Sequence, residues 1–170
     1  MKLASGVAPV PALLQAGVNL ALGTDGAASN NNLDLWGEMS VAAKLHKVWS
    51  GDPTVASARE VLWMATRGGA RALGLTAELG SLEVGKRADI VCVGLEAPHG
   101  FPFYDAYSHL VYAARADDVR LVVIEGRVVF AHGQWKTVDL PCVYAHVREL
   151  AEPLVGRWQR DARWRSRVGQ

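Results

Sequence analysis

The stretch LALGTDGAASNNNLDLWGEM, residues 20–39, decides how the rest of the chain is read. Apolar residues run into Thr24-Asp25-Gly26 and a polar loop, and an amphipathic helix follows. Val18 to Leu22 reads as a buried strand, apolar on both faces, as suits a parallel strand covered on both sides. Upstream, LASGVAPVPALLQAG reads as a loop and a short helix over Val10 to Ala16, with Gly17 as its stop. Helix, short turn and strand make one half of a βα repeat. In α/β folds functional side chains sit at the carboxyl ends of strands, where Asp25 stands. Two readings of Asp25 are open on this stretch alone. Asp25-Gly26 is a turn dipeptide, with Asn32 capping the next helix. Alternatively, the carboxylate binds a metal or moves a proton, with Ala27, Ala28 and Ser29 leaving room and Asn30 to Asn32 supplying hydrogen-bonding groups.

Downstream, Asp34 complements the dipole of a helix of about four turns. Its apolar stripe is Leu35, Met39, Ala42, Leu45 and Trp49. Ser50-Gly51-Asp52-Pro53 ends it. Ser57 and Glu60 have capping-box spacing, and a second helix follows through Val61, Leu62 and Ala65. Gly68-Gly69 interrupts it, and a further turn from Ala70 to Leu73 stops at Gly74. From Gly80 the texture changes. Ala88 to Val93 is strand-like. Val119 to Glu125, Gly126, then Arg127 to Ala131 reads as a hairpin, with another turn at His132-Gly133. Glu96 to Ser108 reads as a loop, and Val143 to Trp158 as a helix. The expected division is 1–79, 80–140 and 141–170.

Composition excludes several classes. The 170 residues carry a net charge of +1, so no strong field steers the chain to nucleic acid or a membrane. The apolar runs are too short to span a bilayer. Cys92 and Cys142 form neither a CxxC pair nor zinc-ligand spacing and read as thiols of a reducing compartment, the cytoplasm. Arg157, Arg160, Arg163, Arg165 and Arg167, with Trp158 and Trp164, read as a solvated basic terminus rather than a nucleic-acid tail. Tyr104, Tyr107 and Tyr112 read as cover for the β unit.

The segments KLASGVAPVPALLQAGVNLALGTDGAASNNNLDLWGEM, MATRGGARALGL and LGSLEVGKRADIVCVG together resemble the C-terminal part of a metal-dependent amidohydrolase. The branch they most resemble deaminates 5-methylthioadenosine and S-adenosylhomocysteine and is grouped with the triazine chlorohydrolases. The resemblance runs from Lys2 to about Asp139. It implies an α/β fold: the last strand and following helices of a (β/α)8 barrel, part of a small antiparallel β domain, and a terminal helix. It also implies that Asp25 is the acid at the end of the eighth strand, contacting a divalent metal, zinc or alternatively iron. There it takes a proton from metal-bound water, which attacks the amino-bearing ring carbon of a small nucleoside so that ammonia leaves.

The chain departs from that family in one respect. The resemblance calls for an HxH pair, two further histidines and a glutamate. The five histidines, His46, His99, His109, His132 and His146, show neither HxH nor HExxH spacing. A zinc site needs three or four convergent groups, so the chain by itself is expected to hold no metal and to be inactive. A whole barrel takes about 250 residues, and the chain is accordingly read as a C-terminal fragment. An open barrel edge implies self-association or a companion chain. The rival readings are one subunit of a split amidohydrolase and a non-enzymatic interaction module.

Overall fold

The computed structural model describes residues 3–160. Helix α1 (Val10–Gln15) ends at Ala16 and Gly17, as its sequence requires. Residues 18–25 then lead to the Asp25 turn. Their burial alternates: Leu20, Leu22 and Thr24 are half-buried, while Ala21, Gly23 and Asp25 are exposed. The expected strand, covered on both faces, is therefore covered on one. A strand is defined by its ladder, and no ladder partner for this segment lies among the described residues. It is held instead by the helical layer, with Leu22 N–H donating to Met64 O at 3.0 Å and Asn19 Nδ2 to Gly68 O at 3.0 Å.

Helix α2 (Leu35–Ser50) is capped by Asp34, whose side chain accepts from Trp36 N–H at 2.9 Å. Asn32, the expected cap, lies two residues too early: its Oδ1 faces the Asp34 N–H, and Leu33 between them is left-handed at φ 46°. The buried face of α2 is Met39, Ala42, Ala43 and His46. It is rotated from the expected stripe, and Trp49 is 71% exposed. The cause is the loop after α2, which returns Ala56 to the core and is tied down by Lys47 Nζ on Val55 O and Ala56 O.

Helix α3 (Ala58–Ala65) begins with the expected capping box. Ser57 accepts from Glu60 N–H, and Glu60 accepts from Ser57 N–H. The break after α3 falls at Thr66, with φ −127° and ψ −89°, rather than at Gly68-Gly69. Both glycines lie inside α4 (Arg67–Ala72), because the segment leading to Asp25 packs directly on Gly68.

The β unit is an antiparallel meander in the order β1-β2-β3-β4: β1 (Ile90–Val93), β2 (Val119–Ile124), β3 (Arg127–Ala131) and β4 (Gln134–Trp135). Its two tight turns, Glu125-Gly126 and His132-Gly133, have positive φ at both central residues. That is the backbone that matches strand twist. Between β1 and β2 the expected loop, Glu96 to Ser108, holds the short turns Pro98–Gly100 and α5 (Ala106–Ser108), and a π-helical turn, His109–Ala113, follows it. Val111 of that turn is 1% exposed and packs in one core with Met39, Ala43, Val61 and Met64. Helix α6 (Leu140–Arg160) starts three residues before the expected Val143, because Asp139 Oδ1 accepts from Cys142 N–H at 3.1 Å. No helix among the described residues is long and apolar enough to cross a membrane.

Candidate functional site

Asp25 stands where the covered segment ends and the chain turns. Its φ is 60°, in the left-handed region that costs a non-glycine residue strain but that aspartate tolerates better than most. Its Oδ1 accepts from Gly26 N–H at 2.7 Å, and Thr24 Oγ1 donates to Asp25 O at 3.1 Å. The Ser29 hydroxyl, and after it the Gly26 N–H, hold the carboxyl below its ordinary value. Ser29 Oγ also lies 3.0 Å from Gly26 O, so one hydroxyl proton serves either acceptor. Asp25 is thus an exposed, ionised carboxylate at neutral pH, the state in which it can accept a proton or bind a cation.

Around it lies an open groove of about 480 Å³, lined by Gly23, Thr24, Ser29, the three asparagines Asn30 to Asn32, Glu38 and Val41. Asn30 and Ser29 are half-buried, and Asn30 Nδ2 donates to Glu38 Oε1 at 2.5 Å. Glu38 is a second carboxylate in the Asp25 groove that sequence reasoning passed over. Its signal was weak: an acidic residue in the first turns of α2 reads as a dipole partner before anything else.

The histidines go elsewhere. His46 is buried on α2, and desolvation holds its ring below the ordinary value. His99 Nε2 pairs with Asp118 Oδ2 at 2.8 Å. His109 is buried in the π turn against Phe103. His132 occupies a hairpin turn, and His146 Nδ1 lies 3.7 Å from Cys142 Sγ. Among the described residues no three His, Cys, Asp or Glu side chains come together as a metal site. Asp25 and Glu38 are the two carboxylates lining the groove, fewer than the three or four donors that a zinc site takes.

Of the tyrosines expected over the β unit, Tyr107 instead lies under the Arg59 guanidinium of α3, at 4.5 Å, because α5 packs on that helix. Arg163, Trp164, Arg165 and Arg167 fall outside the described residues. The partly buried pair His99–Asp118 was also invisible in the sequence, its partners being nineteen positions apart with no shared motif. Burial alone would raise the Asp118 carboxyl; the His99 ring and the Arg115 N–H outweigh it and hold the group below the ordinary value.

Comparison with known proteins adds the context this geometry lacks. The model of the amidohydrolase family matches residues 1–129. A 5-methylthioadenosine/S-adenosylhomocysteine deaminase of Syntrophobacter fumaroxidans is 55% identical over 154 residues, which cover 91% of this chain and 35% of that protein. A 5'-deoxyadenosine deaminase of Methanosarcina acetivorans is 51% identical over 157 residues, covering 92% and 36%. The chain therefore spans about a third of the length of the curated relatives it matches. Among solved structures, an adenosine deaminase of Xanthomonas campestris with bound zinc superposes with a TM-score of 0.88 at 43% identity, covering 91% of this chain and 35% of that one. Atrazine chlorohydrolase of Arthrobacter aurescens complexed with zinc gives 0.78 at 35% identity, covering 85% and 32%.

Proposed function

The chain belongs to the amidohydrolase family, and from that premise we propose that it carries the acid of a hydrolytic deaminase for adenosine-type nucleosides. The substrates proposed first are the thioether nucleosides 5-methylthioadenosine and S-adenosylhomocysteine, in keeping with the names of its relatives. The observation that carries the proposal is Asp25: an ionised, exposed carboxylate, left-handed at φ 60°, facing an open groove. In hydrolytic deamination water adds to the amino-bearing ring carbon, and the C–N bond breaks with release of ammonia. Asp25 accepts the proton that water gives up and passes it to the departing nitrogen. A carboxylate held below its ordinary value is ready as a base at neutral pH.

A divalent metal belongs to this family's chemistry, and zinc is bound in the Xanthomonas campestris and Arthrobacter aurescens structures. Zinc is the ion proposed here, ahead of iron, with Asp25 as one ligand. The remaining donors come from polypeptide outside the described residues. We extend the proposal to the open face of residues 18–25. Ala21, Gly23 and Asp25 are exposed there, and the backbone has no ladder partner among the described residues, so further barrel strands, from the same reading frame or from a companion chain, complete it. The cytoplasm is the proposed place of action, in keeping with the free, exposed thiols of Cys92 and Cys142.

The test is ammonia release from 5-methylthioadenosine, S-adenosylhomocysteine and 5'-deoxyadenosine. It is run on the chain alone and on the longest protein encoded in frame with it. The longer protein should turn over, and D25N should lower kcat by at least about a hundredfold while leaving the circular dichroism unchanged. Equal rates for D25N and the parent would remove Asp25 from the chemistry.

A further inference from the structure

We propose that Glu38 is a positioning residue for Asp25, binding the turn that carries the carboxylate to the buried helix behind it; this rests on Asp25 being the reacting acid. Backbone held at positive φ in a non-glycine residue persists where its surroundings over-determine it. The Asp25 turn has little core around it, residues 25–28 all being exposed. It is closed mainly on itself: Gly26 O accepts from Ser29 N–H at 3.1 Å, Asn30 N–H at 2.8 Å and Ser29 Oγ at 3.0 Å. None of those bonds reaches the interior.

The bond between Asn30 and Glu38 does reach it. It joins the last residue of the turn to a residue eight positions on, and it is partly buried. Glu38 precedes Met39, which is 3% exposed in the core, so packing of α2 fixes the backbone from which Glu38 reaches out. An amide donor on a carboxylate is a charge-assisted hydrogen bond, stronger than a neutral one. Through it the orientation of the turn, and with it the aim of the Asp25 carboxylate, is referred to α2 instead of to solvent. Glu38 also lines the groove that Asp25 faces. The competing role is direct use of its charge, on a cation or on substrate. The two roles differ in what glutamine can do: E38Q keeps an oxygen acceptor for Asn30 Nδ2 and loses the charge.

The test is amide hydrogen exchange by NMR on the 170-residue chain, with E38A, E38Q and N30A. In E38A the Ser29 and Asn30 amides, and in N30A the Ser29 amide, should exchange about tenfold faster, with the Val61 and Ala131 amides unchanged. E38Q should stay within about twofold of the parent, since its acceptor remains. Where E38A disturbs α2 itself, N30A removes the same bond from the loop side and gives the answer. Unchanged exchange at Ser29 in N30A would overturn the proposal, as would E38Q behaving like E38A. In the turnover assay E38A should lower kcat at constant KM and E38Q should restore it; a loss in E38Q as deep as in D25N would also overturn it. The expected exchange pattern with no turnover in any protein would support the positioning and sink the deaminase proposal.

Discussion

Two neighbouring glycines should respond to the same substitution with opposite signs. A Cβ built on Gly68 lies 2.4 Å from Leu20 O and 3.1 Å from Trp63 O, both backbone atoms. Carbon and oxygen need roughly 1 Å more than the shorter distance. Backbone cannot swing away as a side-chain tip can, so the segment leading to Asp25 must lift off α4. The Asn19 to Gly68 hydrogen bond, at 3.0 Å, lies in the same contact. Overpacking costs about 1–3 kcal/mol, and against immovable backbone it falls in the upper part of that range, about 2–3 kcal/mol; a helical Gly to Ala change returns about 0.5–1 kcal/mol. The net for G68A is a loss of about 1–2 kcal/mol. At Gly69 the built Cβ meets only Met64 O, at 3.9 Å, an ordinary contact. G69A therefore keeps the propensity gain alone. With a urea m-value of about 2 kcal/mol/M, the midpoint should fall by about 0.5–1 M in G68A and rise by about 0.3–0.5 M in G69A. Equilibrium urea unfolding followed by tryptophan fluorescence reads both. If G68A unfolds no earlier than the parent, or G69A falls alongside it, the close packing of residues 18–25 on α4 is wrong.

S57A removes the oxygen that accepts Glu60 N–H and should cost about 1 kcal/mol in the same urea experiment; a neutral effect would mean that the box contributes nothing. Burial holds the His46 ring below its ordinary value, and a base whose folded value is depressed stabilises the fold above its unfolded value of about 6.5 and loses that stability as pH falls below it. The urea midpoint should therefore drop on acidification from neutral pH, and H46L should flatten the drop; an unchanged slope would place its origin elsewhere. Equilibrium dialysis of the chain alone against zinc should give no stoichiometric complex, since Asp25 is its only proposed ligand; one tightly held zinc per chain would overturn that. Exposed Val48, Trp49, Trp63 and Leu150 should give apolar-dye binding and concentration-dependent sedimentation, and a dye-silent monomer at high concentration would count against an open face.

Features set by short sequence separations were legible without coordinates. The Ser57–Glu60 box, the Glu125-Gly126 and His132-Gly133 turns, the end of α1 at Gly17 and the four-turn length of α2 all follow from contacts within a few residues, where spacing alone decides what can meet. The family resemblance is likewise carried by contiguous motifs, and Asp25 is singled out because it follows an apolar run and precedes Gly26. What stayed hidden depends on partners brought together by packing. Gly68 looked like a helix breaker and is a helical residue that admits Leu20 O. Asn32 looked like the cap of α2, but Leu33 turns left-handed and gives that place to Asp34. Val111, His99 with Asp118, and Glu38 with Asn30 acquire their roles from chain separations that no periodicity encodes. Contiguous spacing carries the capping box, the two hairpin turns and the family motifs, and it points to Asp25 as the candidate acid. The covered face of residues 18–25 and the tie that holds the Asp25 turn come from packing. The reason is physical: local hydrogen bonds are fixed by spacing, whereas burial and long-range pairing are fixed by where the whole chain places its surfaces.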